Sequence, residues 1–380
     1  MRKLRVLWDF LRGYKLHILG LSLLLLTSLR SQPQWMAQGD SDVTSESSSN
    51  STASYQEEEL EDIVVEGAVS VTSKTDPPFA IWLFPPDEDI ISRKINAAGL
   101  YEPEETLFVR QVVEASSKTN GGTGWAMDIG TNIGFHSLHM AALGMHVISL
   151  EPSPDTASLL RKSVQANGFD HQPSICSIRS SNRTSCRGSV CIVQAAAAAT
   201  PGVGRLLRHP QSAGMTILQR HGDSSDADAL PFGVENVIQD DIELVRPGDI
   251  LSKTIGASPN EEELWLLKVD AEGYELHALK GADLATFPFR YLTFEFFPEL
   301  LVKAGKTDPL DLLLYIYSFG YACGTDPASV QEGGSNSTSA TILHVASDIE
   351  EWYNRTAVPA HQKSSAYHIN IFCTKKKKNA

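Results

Sequence analysis

Asp128-Ile129-Gly130-Thr131-Asn132-Ile133-Gly134, followed downstream by Glu151-Pro152, decides how this chain folds. The stretch reads as a strand over residues 125–127, an acidic glycine-spaced turn, a helix, a second strand over 146–150, and a carboxylate where that strand ends. Such a layout suits a nucleoside bound at the carboxyl edge of a parallel sheet, in the crevice between diverging connections. Gly130 and Gly134 tolerate backbone angles closed to residues with a Cβ, and they let backbone approach a ligand. Glu151, about 20 residues beyond the turn, is placed to accept hydrogen bonds from a ribose diol. The loop is not G-x-G-x-x-G and lacks the Gly-Lys-Ser/Thr ending of a P-loop, which weakens the dinucleotide and nucleoside-triphosphate readings. A Gly-x-x-x-Gly turn opened by Asp fits S-adenosylmethionine better. The sulfonium and amino group of that molecule favour a nearby carboxylate over a phosphate nest.

A second constellation, Lys268, Asp270, Glu272 and Glu275, follows the apolar strand 264–269. Lys268 and Asp270 point to the same face of an extended segment, while the turn at Gly273 is expected to swing Glu272 and Glu275 outward. A carboxylate at the end of a central strand, beside a cofactor crevice, can accept a proton from a substrate hydroxyl. Several carboxylates there could instead hold a divalent cation through oxygen ligands. Asp270, Glu272 and Lys268 are therefore the catalytic candidates, whereas Glu275 reads as a helix-start acid suited to the dipole. Glu295 is an acid inside an apolar strand, so it is either paired or functional. His136 and His139 read as satisfied histidines of the helix after the nucleoside loop.

Around these motifs, strands at 190–194, 291–296 and 367–373 alternate with helices at 104–113, 155–167, 274–284 and 309–318. Near-continuously apolar strands alternating with helices imply a mostly parallel sheet covered on both faces. Residues 195–199, all alanine, read as a strand end or loop, and order is expected to begin near Pro77. Residues 221–229 are polar and acidic and contain Asp226-Ala227-Asp228, a weak match to the metal-binding Asp-x-Asp of a glycosyltransferase.

The N-terminus bears on location. Arg2, Lys3, Arg5, Arg12 and Lys15 precede an apolar run over 16–29, short for a full span and close to a signal-peptide core. No convincing cleavage site follows, and early secretory bilayers are thin, which favours an uncleaved anchor with its basic flank in the cytosol. The expected organisation is a cytosolic basic tail (1–15), a signal-anchor segment (16–30), a Ser/Thr/acidic disordered stem (31–75) and a lumenal domain (76–380). Asn-x-Thr sequons at Asn50, Asn182, Asn336 and Asn354 agree with a lumenal body. Cys176, Cys186 and Cys191 lie close enough for one local bridge, while Cys323 and Cys373, in apolar segments, read as buried thiols. The net charge of −14 argues against nucleic acid as a main partner.

Asp128-Ile-Gly-Thr-Asn-Ile-Gly-Phe135, Val147-Ile-Ser-Leu-Glu-Pro-Ser-Pro154 and Leu267-Lys-Val-Asp-Ala-Glu-Gly-Tyr-Glu-Leu-His-Ala-Leu-Lys-Gly281 together resemble the FkbM family of S-adenosylmethionine-dependent methyltransferases. Ile90-Ile-Ser92 and Gly99-Leu-Tyr-Glu-Pro-Glu104 are similar to that family's lead-in. The resemblance implies a class I methyltransferase fold, Rossmann-like and doubly wound, with a mostly parallel seven-stranded sheet. It also implies methyl transfer, usually to oxygen and often on sugars. By it, Asp128, Gly130, Asn132 and Gly134 line the methionine end and Glu151 the ribose. Thr131 stands where the family usually has Ala, and the polar insertion after Asn167 is unusual and could carry a substrate loop. The expected protein is a Golgi or other secretory-pathway O-methyltransferase acting on a carbohydrate hydroxyl. The alternatives are a type II membrane glycosyltransferase and a non-catalytic, secreted binding module that keeps the fold.

Overall fold

Strands that are apolar at every position can be buried only if both faces of their sheet are covered. The computed structural model describes residues 63–120, 124–170, 188–209, 212–220, 236–257, 263–330, 346–364 and 366–375. All of them belong to one compact unit, Glu61–Ala380. An antiparallel pair, β1 (Val69–Thr72) and β2 (Ala80–Leu83), precedes helices α1 (Ile90–Ala98) and α2 (Pro103–Asn120). Next come β3 (Trp125–Ile129), α3 (Phe135–Ala142), β4 (His146–Leu150), α4 (Pro154–Asn167) and β5 (Ser189–Val193). An inserted run of strands follows: β6 (Ala196–Ala197), β7 (Gly202–His209), β8 (Ser212–Arg220) and β9 (Asn236–Val245). The alternation then resumes with α5 (Pro247–Ile255), β10 (Leu264–Val269), α6 (Glu275–Ala282), β11 (Tyr291–Phe296), α7 (Pro298–Lys303) and α8 (Pro309–Ser318). The chain closes with β12 (Tyr321–Gly324), α9 (Ala346–Trp352), α10 (Val358–Lys363) and β13 (Ile369–Lys375).

The main sheet has the order β12-β13-β11-β10-β3-β4-β5. Its strands run parallel except β13, which lies antiparallel between β11 and β12. This is the expected α/β architecture with a large, mostly parallel sheet. Adjacent strand residues bury to opposite sides: Ala126 and Leu266 pack under α2, α3 and α4, while Met127 and Leu267 pack under α5, α6 and α8. Each fully buried Leu or Met contributes about 1.5–3 kcal/mol of transfer free energy, so the two layers hold the sheet rigid from both sides.

The structured chain begins earlier than expected, because β1 lies within the stretch read as stem. Its partner β2 is clasped by α4. Asn167 accepts from the Ala80 N–H at 2.8 Å and donates to the Ala80 carbonyl at 2.7 Å, and Ser163 Oγ accepts from the Trp82 N–H at 2.9 Å. Edge backbone groups are thereby satisfied by side chains rather than left open to another strand. The expected signal anchor and most of the stem lie outside the described residues, among which no helix is long and apolar enough to cross a membrane.

The inserted strands form a separate four-stranded sheet, β6-β9-β7-β8. Their alternation is blurred by register shifts in the β7–β9 pairing, which explains why no strand pattern is readable there. The alanine run supplies β6, and Gly281 of α6 packs directly on its backbone. A Cβ on Gly281 of α6 would stand 2.1 Å from the Ala198 carbonyl oxygen, so the two segments touch backbone to backbone. Leu206, Leu218 and Leu244 pack on Tyr274, Phe297 and Leu300, which fixes the small sheet over the carboxyl edge of the large one.

Cys323 and Cys373 are not free thiols. They are register partners on β12 and β13, with Cα atoms 4.1 Å apart, and form a disulfide. The sequence reading missed this because apolar strand segments 50 residues apart show no pairing until the sheet brings them side by side. Cys191 is free, while Cys176 and Cys186 lie outside the described residues. The double variant Cys323→Ser/Cys373→Ser is expected to lose about 2–4 kcal/mol of stability through the larger conformational entropy of its unfolded chain. Denaturant titration should show a lower midpoint with unchanged secondary structure, and an unchanged midpoint would contradict the bridge.

Candidate active site

Parallel pairing brings the carboxyl ends of β3, β4 and β10 to one edge, where connections leave β3 and β10 in opposite directions. Asp270 N–H donates to the Ile129 carbonyl at 2.9 Å, and Gly130 and Thr131 N–H donate to the Leu150 carbonyl at 3.0 and 3.1 Å. Gly130 sits at φ 73°, and a Cβ there would lie 1.6 Å from the Asp270 carbonyl oxygen. Only glycine allows the two turns to approach so closely. Asn132 adopts φ 55°, which its short polar side chain tolerates; its Oδ1 accepts from the Ile133 N–H at 2.7 Å. Glu151 accepts from the Asn132 N–H at 2.8 Å and the Ser153 N–H at 2.9 Å, so one carboxylate organises both the turn and the end of β4.

These elements enclose a cavity of about 300 Å³, lined by Gly130, Asn132, Glu151, Lys268, Asp270 and Glu272 among others. Two residues expected at the ligand lie outside that lining. Asp128 is wholly buried; it accepts from Ser137 Oγ at 2.6 Å and faces Lys268 Nζ at 3.8 Å. It ties the ends of β3 and β10 to α3. Gly134 caps α3 at φ 91°, and a Cβ there would meet Leu160 at 2.2 Å, so its smallness serves helix packing. The inserted sheet supplies the roof. Asp89 caps α1 through the Ser92 N–H and also accepts from Ser212 Oγ at 2.6 Å and the Gly214 N–H at 3.1 Å. Asn132 Nδ2 donates to the Gly214 carbonyl at 2.9 Å, so Gly214 is held at both its N–H and its carbonyl.

Under the cavity a polar row crosses four strands in register: Ser149, Asp128, Lys268 and Thr293. Lys268 Nζ lies 3.3 Å from Asp270 Oδ2 and is almost wholly buried. Burial alone would lower its pKa, but Asp270, Glu105, Asp128 and Glu102 together hold it well above the ordinary lysine value. Glu272 and Glu295 are held far above the usual carboxylate range, first by burial and then by Asp270. Glu275 does not swing outward. It is fully buried and accepts from the Ala271 and Gly273 N–H groups at 3.1 and 3.0 Å, capping its own turn.

Beside the cavity lies a cluster the sequence reading did not assemble: Glu102 and Glu105 were not singled out, and His136 was read as a satisfied helical histidine. His136 Nε2 lies 3.0 Å from Glu102 Oε2 and 3.3 Å from Glu105 Oε2, and Thr293 donates to Glu105 Oε1 at 3.1 Å. His136 is therefore part of a cluster at the site, whereas His139 lies near Phe79, neutralised by burial with a pKa lowered to about 4. The i,i+3 spacing of Glu102 and Glu105 at a helix start was a visible signal. Nothing in the linear order tied either acid to a histidine more than thirty residues away.

Buried acids make stability depend on pH. Burial pushes Glu105, Glu151 and Glu275 from 4.5 up to about 7. The native state then binds more protons than the unfolded chain between those values, so these groups lose stability as pH rises through about 7. His139 acts oppositely, but only between 6.5 and about 4. Above 6.5 the carboxyl effect is unopposed. The melting temperature of the ligand-free protein should fall between about pH 6.5 and 8, and a rise over that interval would contradict the acid assignment.

The methyltransferase FkbM domain matches residues 128–323, more than half of the chain. No curated protein matches the sequence. Among solved structures, the crystal structure of the small RNA methyltransferase HEN1 is similar at 7% identity and a TM-score of 0.27, too distant to carry an argument. That match covers 74% of this chain, which spans 27% of the other. On the family match, which takes in the turn, Glu151 and the Lys268-Asp270-Glu272 strand end together, the chain belongs to the FkbM methyltransferase family.

Proposed function

We propose that this methyltransferase transfers a methyl group from S-adenosylmethionine to a carbohydrate hydroxyl. The observation that carries this reading is the acid-rich wall of the cavity, set beside the Gly130 turn at the carboxyl edge of the sheet. Glu102, Glu151, Asp270, Glu272 and Glu295 line the cavity, against the cations Lys94 and Lys268. Glu151, Asp270 and the Gly130 turn present hydrogen-bond acceptors and backbone to the ribose and ammonium of such a donor, while burial holds Glu272 and Glu295 toward their neutral forms. The glycosyltransferase alternative rests on Asp226-Ala227-Asp228, which lies outside the described residues. S-adenosylmethionine, when bound, would supply an electrophilic methyl carbon open to in-line attack by a hydroxyl oxygen, with the thioether sulfur as leaving group.

The protein's part is to bind, orient and take the proton. Glu151, at the end of β4, receives the ribose hydroxyls beside the two N–H groups it already holds. Gly130 and Asn132 present backbone to the rest of the donor. Asp270, about one-third exposed and gripped by Lys268, takes the hydroxyl proton as the oxygen attacks. Glu272 and Glu295, pushed toward their protonated forms, donate hydrogen bonds rather than compete as bases.

We also propose, from the basic N-terminal flank and the apolar run at 16–29, that the protein sits in a secretory-pathway membrane such as the Golgi, as a type II protein with a lumenal domain. The Cys323–Cys373 bridge supports this, because disulfides persist in oxidising compartments. So does the exposed sequon residue Asn354.

Calorimetry on the wild type should show binding of S-adenosylmethionine and none of nucleotide sugars. Glu151→Gln should weaken binding by about 1.5–3 kcal/mol, the range for hydrogen bonds to a charged group. Asp270→Asn should keep cofactor affinity while turnover on a carbohydrate acceptor falls roughly 10²–10⁴-fold. Absence of cofactor binding would remove the reading, and near-normal turnover would remove Asp270 from it. For the location, protease added to sealed vesicles should spare the domain beyond residue 30, and glycosidase should raise its gel mobility; digestion of the domain in intact vesicles would reverse the orientation.

A further inference from the structure

We propose that Glu102, Glu105 and His136 form a divalent metal site of the manganese type at the wall of the cavity. The three ligand atoms lie within 4.8 Å of one another. Their spacing is that of a coordination sphere. With metal–ligand bonds near 2.1 Å, adjacent ligands stand about 3.0 Å apart in an octahedron and about 3.4 Å apart in a tetrahedron. His136 Nε2 stands 3.0 and 3.3 Å from its two carboxylate partners. Two carboxylates and one imidazole suit a first-row divalent ion such as Mn²⁺.

The surroundings hold the ligands in place. Thr293 donates to Glu105 Oε1 and so turns its Oε2 toward His136. The His136 ring is packed against Tyr101 and Phe135, and Glu105 is 2% exposed. Lys268 makes its ion pairs with Asp270 and Asp128, at 3.3 and 3.8 Å, and leaves the space among the three ligand atoms to another cation. Glu102 and His136 line the cavity, so the remaining coordination positions face the space where an acceptor would sit. Three protein ligands with open positions are the arrangement of a catalytic rather than a purely structural metal site. On the proposed function, to which this role is tied, the ion binds the acceptor hydroxyl and lowers its pKa, and Asp270 takes the proton.

The test is Mn²⁺ binding to the full-length protein, read from loss of the free-ion electron paramagnetic resonance signal. S-adenosylmethionine affinity is measured in parallel on the same preparations. One tightly held ion per chain is expected. Glu105→Gln and His136→Gln should abolish its binding, and Thr293→Val should weaken it about 10–100-fold, as removal of an outer hydrogen-bond partner does. Asp270→Asn should retain the ion. A wild type that binds S-adenosylmethionine but no Mn²⁺ would overturn the metal site and leave the proposed function standing. Mn²⁺ binding that survives Glu105→Gln and His136→Gln but is lost in Asp270→Asn would equally overturn it. Mn²⁺ bound through these three residues without any S-adenosylmethionine affinity would support the site and remove its proposed role in methyl transfer.

Discussion

The buried ammonium of Lys268 is the interaction on which the rest of the site depends. It lies mid-way along the polar row that crosses the sheet from Ser149 to Thr293, with Asp128 on one neighbouring strand and Asp270 at its own strand's end. A lysine buried without a partner would give up its proton, and buried carboxylates without a counter-charge would take one up. Each here sustains the other. Asp128 passes the connection to α3 through Ser137, and Thr293 passes it to α2 through Glu105. The helices that wall the cavity are thus tied to the strands that floor it by hydrogen bonds as well as by apolar contact. Buried ion pairs of this kind add little net stability, but removing one member leaves an unpaired charge at large cost.

Acid excess follows from the same geometry. The carboxylates crowd around one lysine and one histidine, and burial raises several of them toward neutrality. A site so arranged is poised to exchange protons for cations, whether the cation belongs to the methyl donor or is a metal ion. It also separates the roles of similar residues. Asp270, partly exposed and gripped by an ammonium, differs in kind from Glu272 and Glu295, which sit deeper in the field of Asp270. Environment, not residue type, divides base from hydrogen-bond donor.

The inserted sheet adds what the seven-stranded sheet lacks, a roof. Asp89 and Asn132 grip the same residue of β8, one at the Gly214 N–H and the other at its carbonyl. Asn132 therefore joins the motif turn, the roof and Glu151 through three different hydrogen-bonding groups.

The parallel strands, their helices, the Gly130 turn, Glu151 and the Lys268–Asp270 strand end were legible in the amino-acid order. Each is a local pattern: an apolar run, a glycine where φ is positive, a carboxylate just past a strand. The sequence alone therefore determined the class of sheet and which edge of it carries chemistry. Tertiary structure decided the rest, because the remaining questions concern distance between segments. Asp128 and Gly134 belong to the motif, but the fold turns one toward Lys268 and packs the other against Leu160. Cys323 pairs with Cys373 only because β13 is inserted antiparallel beside β12. His136 meets Glu102 and Glu105 only because α2 and α3 pack over the same polar row. A side chain's identity is local information, but its partner, burial and protonation are set by segments remote in sequence, and only packing places those segments together.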